Sequence, residues 1–216
     1  MIESESTLDA WKKLLKHIYD KGDNYVDEDN RKCREILNFV VTIKNPENDI
    51  TKPIDLLNSF EKWRYPPLDK IANSILSPDH INSKFSYSYG PRLFNFSGQL
   101  NQLDDFVIPV LKKEWWSRKA IVNFWDNLID STLSKKASPG MTNILFKIID
   151  KKKLNVTAII RSNDMFFGWP ANVYHLYVIQ KYVAQKLNLA IGEIITFSFS
   201  AHIFEDQFEF IQKVID

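Results

Sequence analysis

Between Val156 and Leu187 the chain changes character twice. An apolar, β-branched run ends at Arg161, and a run with Leu176, Ile179, Val183 and Leu187 at helical spacing begins at Asn172. The twelve residues Arg161-Ser162-Asn163-Asp164-Met165-Phe166-Phe167-Gly168-Trp169-Pro170-Ala171-Asn172 therefore join a strand to a helix. They carry a guanidinium, a hydroxyl, a carboxylate and carboxamides among large apolar side chains. Such a density of hydrogen-bonding groups is costly unless they pair with one another or meet a ligand.

The rest of the chain supplies the layers around this segment. Ser6 to Asp20 reads as a helix, with Ser6 and Asp9 as a capping pair and Leu8, Trp11, Leu14, Leu15 and Ile18 on one face. Strands are predicted at Ile36–Ile43, Ala120–Trp125, Ile144–Ile149, Val156–Arg161 and Glu193–Ser200, with a hairpin connection at Asp150–Lys153. Further helices are expected near Leu56–Trp63, Leu68–Leu76, Gln99–Lys113 (kinked at Pro109) and Phe208–Ile215, and a turn or strand end at Tyr87–Gly90. Strands alternating with helices predict an α/β (α+β) layered domain on a mixed, twisted sheet. No linker or repeat divides residues 1–216, so a single domain is expected.

The net charge of +1 gives no global pull towards nucleic acid or anionic membrane, so any anion site must be local. Cys33 is the only cysteine, which excludes an internal disulfide and a multi-cysteine zinc site, and no metal is expected. No apolar run reaches membrane-spanning length and Met1–Asp9 is polar, unlike a signal peptide, so the expectation is a cytoplasmic protein.

Five short anchors recur in order along the chain: Tyr89-Gly90 with Arg92, Ser117-Arg118-Lys119, Pro139-Gly140, Arg161 to Asn172, and Ser200-Ala201-His202-Ile203-Phe204. In that order and spacing they resemble the thymidylate synthases, most closely the shorter archaeal-type members and the related pyrimidine nucleotide hydroxymethylases. The resemblance implies a homodimer built through the sheet, a pyrimidine nucleoside monophosphate as ligand, and 5,10-methylenetetrahydrofolate as possible cofactor. It gives Arg161 and Ser162 the nucleotide phosphate, and Arg118 and Lys119 the phosphate of the partner protomer. It assigns Asn172 to the pyrimidine edge, His202 to the sugar 3′-hydroxyl, Tyr89 to the nucleotide site and Asp164 to the folate pterin.

Each role has a plainer competitor. Arg161 could pair with Asp164, and Arg118-Lys119 could be a solvated basic pair. Asn172 could cap the helix that follows it, and His202 could be a satisfied core histidine. Arg31 and Arg34 fall near another phosphate-contacting arginine of the family.

The departures are concentrated at one point. Where the family has Pro-Pro-Cys-His, this chain reads Ser138-Pro139-Gly140-Met141, and the family's following glutamine is Leu145. The family's reaction needs a thiolate to add to C6 of the pyrimidine, and Gly140 offers no side chain. The tyrosine of the family's His-x-Tyr element is Phe204. No catalytic residue is assigned, and Asp69 is the positional candidate for a proton-relay acid. Two functions follow from this pattern. One is a transferase or nucleotide-modifying enzyme that needs no C6 thiolate; the other is an inactive nucleotide-binding or scaffold homologue.

Overall fold

The computed structural model describes residues 1–79, 88–132 and 138–216, so Tyr87 of the expected Tyr87–Gly90 turn lies outside the described residues. The chain runs β1 (Ile2–Ser4), α1 (Thr7–Lys21), β2 (Asp23–Val26), β3 (Lys32–Ile43), α2 (Lys52–Asn58), α3 (Leu68–Leu76) and α4 (Tyr89–Phe94). A π-helical turn (Gln102–Val107) then leads into α5 (Ile108–Lys113), β4 (Ile121–Asn123), α6 (Asn127–Asp130), β5 (Met141–Ile149) and β6 (Lys153–Asp164). The chain closes with α7 (Gly168–Leu187), β7 (Ala190–Phe204) and α8 (Phe208–Ile215). Seven strands form one mixed sheet in the order β1-β3-β7-β6-β5-β4, with β2 paired to β3. Parallel β1–β3 and antiparallel β2–β3, β3–β7 and β4–β5 ladders make it mixed. The α/β class and the shared sheet agree with the sequence.

Two compact units are distinguishable. The first comprises Met1–Tyr65, Ile160–Tyr174 and Glu193–Asp216, and the second Pro66–Ile159 and His175–Gly192. In the first, Ser6 caps α1 by accepting from the Asp9 amide, and Ala10, Trp11, Leu14, Leu15 and Ile18 are fully buried. Trp11, Leu14, Leu15 and Ile18 account for the helix: each large buried apolar side chain contributes about 2 kcal/mol, more in sum than the cap. In the second, Asp150 and Lys151 both have positive φ, at 50° and 58°. That is the two-residue turn whose twist matches a right-handed hairpin. Gly90, at the start of α4, has no room for a side chain, since a Cβ would lie 2.2 Å from the Ser77 carbonyl oxygen.

Some boundaries differ from expectation. The strand expected at Ile36 begins at Lys32, because Lys32–Val26 through Glu35–Asp23 pair as a hairpin. The helix expected from Asn172 begins at Gly168 and passes through Pro170. Proline is tolerated there because first-turn amides have no intrahelical partner. No helix among the described residues is long and apolar enough to cross a membrane.

Candidate functional site

Arg161 and Ser162 stand side by side on the exposed surface because β6 kinks. Neighbours on a regular strand point to opposite faces. Along β6, Leu154, Val156, Ala158 and Ile160 are buried; Arg161 and Ser162 are then both exposed, and burial resumes at Asn163. The same slip occurs in β7, where Ser198 and Ala201 are buried on either side of Phe199 and Ser200. In β3, Leu37 and Asn38 are both exposed and Asn38 has a φ of 58°. Pairing of Leu37 with Ser200 and of Phe39 with Ser198 brackets the break in the β3–β7 ladder.

The kinked ends border a cavity of about 240 Å³ in the first unit. Arg161, Ser162, Ser200, His202 and Phe204 form part of its wall, and Tyr25, Asp27, Glu28, Cys33 and Glu35 of the β2–β3 region form the rest. Four of these β2–β3 residues, all but Tyr25, lie between Val26 and the strand expected from Ile36. The wall carries three carboxylates against the one guanidinium of Arg161. A second guanidinium, Arg31, lies over the Phe204 ring at 3.4 Å from its centroid and 3.6 Å from Asp206. Arg34 does not join it: its guanidinium donates to the Tyr19 carbonyl and lies against the Tyr19 and Phe208 rings.

His202 is half-buried, with Nδ1 3.2 Å from Ser200 Oγ and its ring edge-on to Phe204 at 5.0 Å. Burial pushes its pKa below the ordinary histidine value, against the pull of Asp164, Glu35 and Asp27. The ring is therefore neutral near pH 7. Cys33 precedes the strand expected from Ile36 but lies within β3, buried at the cavity wall with its thiol 3.5 Å from the Tyr25 carbonyl. Burial, Glu35 and Asp27 push the thiol up, which is the opposite of what activates a nucleophilic cysteine.

The turn after β6 is pinned from two sides. Trp11 Nε1 donates to the Met165 carbonyl at 2.9 Å, and the Met165 amide donates to the His202 carbonyl at 2.8 Å. Asp164 Oδ1 accepts from the Phe166 and Phe167 amides at 3.0 Å, and Oδ2 accepts from Gln207 Nε2 at 2.9 Å. Asp164 is thus a turn-forming carboxylate. Asn172 is not a cap, since it lies inside α7; its Nδ2 donates to Asn163 Oδ1 at 3.1 Å. Asn163, 1% exposed, stands in sequence between Ser162 and Asp164, and no local signal there separates it from its polar neighbours.

An aromatic group lies beside this turn. Tyr65 stacks on Phe167 with ring centres 4.5 Å apart, and Trp63 meets Phe166 and Phe167 at 5.4 and 5.5 Å. Trp63 Nε1 is buried without a hydrogen-bond partner among the described residues, and Tyr65 Oη is buried beside the Ala171 backbone. Burial and the Asp164 charge hold the Tyr65 hydroxyl well above its ordinary pKa.

In the second unit, Tyr89 opens α4, and its Oη accepts from the Met141 amide at 3.1 Å. That tyrosine therefore fixes the backbone beside Gly140. Met141 is in the core at 1% exposure, the Thr142 hydroxyl is spent on the Ile159 carbonyl at 3.1 Å, and Leu145 is exposed on β5. Arg92 is held by the Phe124 carbonyl and a two-pronged pair with buried Asp130. Arg118 and Lys119 are exposed between α5 and β4 and make no ion pair among the described residues. Asp69 is exposed in the first turn of α3. No cluster of metal-ligating side chains occurs among the described residues.

The sequence model of a family described as thymidylate synthase matches residues 58–216. A protein of Methanosarcina mazei is 31% identical over 215 residues, covering 100% of this chain and 94% of its own length. One from Methanococcoides burtonii is 33% identical over 216 residues with the same coverage. One from Methanothermobacter thermautotrophicus is 35% identical over 223 residues, covering 99% of this chain and 97% of its own. All three carry thymidylate synthase as a provisional name. With the family model matching most of its length, the chain belongs to the thymidylate synthase family.

Proposed function

We propose that the first-unit cavity and the turn beside it bind a pyrimidine nucleoside monophosphate, and that the protein modifies it without thiolate addition at C6. The observation that carries this reading is the kink that sets Arg161 and Ser162 together on one cavity wall with His202. A guanidinium and a hydroxyl so placed take a phosphate by charge-assisted hydrogen bonds. A volume of about 240 Å³ is below the roughly 300 Å³ at which pockets for whole drug-sized ligands begin, so it suits the sugar-phosphate end. Asn172 reads the base.

The three carboxylates of the wall oppose a phosphate dianion, so further cations are needed. Arg118 and Lys119 of a second copy supply them in a homodimer. What supports a dimer is the apolar outer face: Phe199 and Leu37 are 56% and 62% exposed, and Val40 and Phe197 are half-exposed directly across the ladder. Such a patch marks an association surface.

The residues beside Asp164 fit the reduced folate that the family implies. Stacked Tyr65 and Phe167, the Trp63 ring and the orphaned Trp63 Nε1 offer flat walls and an unspent donor to a polar ring system. Asp164, Phe167 and Trp63 would hold 5,10-methylenetetrahydrofolate, which supplies a one-carbon unit. The protein's own contribution is to orient the nucleotide through Arg161, Ser162, Asn172 and neutral His202. We place the reaction in the cytoplasm.

Gly140 favours a second reading. With Met141 buried and Leu145 exposed, the nucleophile turn carries no replacement group, as in a nucleotide-binding homologue without catalysis. Titration calorimetry against pyrimidine monophosphates, with product analysis in the presence of the folate, separates the two. Binding with turnover supports an enzyme, binding alone supports the inactive homologue, and no binding removes both.

A further inference from the structure

The acidic wall of the cavity has a use that phosphate binding does not explain. Asp27 Oδ1 is spent within the hairpin, accepting from the Asp29 and Arg31 amides at 3.0 and 2.7 Å. Glu28 is exposed. Glu35 is different: it is half-buried, lines the cavity, and its carboxylate has no hydrogen bond or ion pair among the described residues. It lies directly across the β3–β7 ladder from His202. Residues so paired have Cβ atoms about 5 Å apart on the same face. The Glu35 charge is also among those that pull His202 upward against burial.

A half-buried carboxylate with unspent lone pairs calls for donors. Phosphate oxygens are acceptors and carry charge of the same sign, so they cannot satisfy it. Sugar hydroxyls can. Two oxygens of one carboxylate can take two adjacent hydroxyls, as the acid of the dinucleotide-binding fold takes a ribose hydroxyl. The remaining neighbours do not compete for that role. Phe204 is apolar and covered by Arg31, and His202 Nδ1 is engaged with Ser200.

We propose that Glu35 is a specificity-determining residue that accepts from the 2′- and 3′-hydroxyls of the sugar, so that the protein takes a pyrimidine ribonucleotide in preference to a 2′-deoxyribonucleotide. This rests on the nucleotide reading above and names its substrate class. A 2′-deoxy sugar leaves one carboxylate oxygen desolvated and unpaired, and a hydrogen bond to a charged group corresponds to a discrimination of about tenfold or more.

The test is calorimetry of UMP and dUMP with the full chain, its Glu35→Gln and Glu35→Ala forms, and Arg161→Ala. The expected result is UMP binding at least about tenfold tighter than dUMP. Glu35→Gln, which keeps the shape of the side chain and one acceptor, should reduce that ratio. Glu35→Ala should bring it close to one, with UMP losing more affinity than dUMP because dUMP forfeits only the bond from its 3′-hydroxyl. Arg161→Ala should weaken both nucleotides and leave the ratio intact. Equal or tighter binding of dUMP by the unmodified protein overturns the assignment of Glu35 and leaves the nucleotide site standing. A preference for UMP that survives in a folded Glu35→Gln and Glu35→Ala pair overturns it as well. Failure of both nucleotides to bind at all removes the nucleotide reading itself.

Discussion

The side-chain amide of Asn172 donates to Oδ1 of Asn163 at 3.1 Å, and the amide of Asn163 donates to Ser198 Oγ at 3.0 Å. Asn163 and Ser198 are buried, so this chain of bonds anchors the Asn172 carboxamide on the β6–β7 pair. One N–H faces inward. In the nucleotide reading proposed above, the other N–H and Oδ1 are the groups that would meet a base.

That orientation predicts a preference for uracil. O4 of uracil accepts where Asn172 donates and N3–H donates where Oδ1 accepts, whereas cytosine reverses both. Uracil nucleotides should bind more tightly than cytosine nucleotides by about 1–2 kcal/mol, read by calorimetry. Asn172→Asp removes the donor towards both the base and Asn163, so it should narrow or invert the preference and lower thermal stability. Equal affinities in the unmodified protein would assign Asn172 to the Asn163–Ser198 network alone.

The phosphate site predicts a result that single variants cannot mimic. Arg161→Ala should weaken nucleotide binding by about 2 kcal/mol, the loss expected for charge-assisted hydrogen bonds. Arg118→Ala should have a comparable effect if its guanidinium serves the partner's phosphate. Mixed dimers of the two variants would then contain one intact site and one doubly damaged site. Dissociating and reassociating the two weak binders together should restore tight binding to a fraction of the sites. No recovery on mixing, with dimers formed, would return Arg118 to the solvated basic pair.

The pH dependence follows from His202, whose pKa in the folded protein is below its ordinary value because burial disfavours the cation. The folded state then binds fewer protons than the unfolded state. The stabilisation from a neutral His202 is fully present above the ordinary histidine pKa of about 6.5. It is lost as pH falls from there towards the lowered value. Thermal unfolding of His202→Gln should therefore lose less stability between pH 7.5 and 5 than the unmodified protein (approximate limits set by the histidine range). Parallel losses in the two proteins would place the acid sensitivity elsewhere.

Much of the architecture was legible in the sequence because it is written in periodicity. The helices Leu68–Leu76 and Phe208–Ile215 agree with expectation to the residue, and α1 differs by one at each end. The failures are equally physical. β1 is three residues long, and β2 is exposed at every position, so neither carries a burial pattern. β3 was cut short because Lys32–Glu35 look like a charged loop, although Cys33 and Glu35 face the cavity from a strand. Asn172 reads as a cap because asparagine is a preferred cap and stands just before the periodic run, whereas the helix begins at Gly168. Arg161 and Ser162 stand out where a strand ends and His202 only through the family resemblance, and the structure brings those three to one cavity. The acidic wall opposite them comes from contacts more than a hundred residues distant in the chain, which no local pattern encodes.

The sharpest expectation concerns Gly140. Family chemistry begins with thiolate addition at C6, and loss of bromide from 5-bromo-dUMP reports that step without any folate. This protein should bind the nucleotide and leave 5-bromo-dUMP intact. Its one thiol, Cys33, is buried, and both burial and nearby carboxylates push it away from the thiolate form. If bromide is released, Cys33→Ser tests whether that thiol is responsible. Gly140→Cys alone should recover little. The Met141 side chain is locked in the core and its amide is held by Tyr89 Oη, while Leu145 offers an exposed apolar group where the family has a carboxamide. A thiol placed there lacks both a neighbouring imidazole and a polar neighbour to orient the base, and an unsupported nucleophile is poorly positioned. Gly140→Cys together with Met141→His and Leu145→Gln should release more bromide than the single change. Full activity from Gly140→Cys alone would mean that the surrounding site is still that of a synthase, and that the loss of one side chain silenced it.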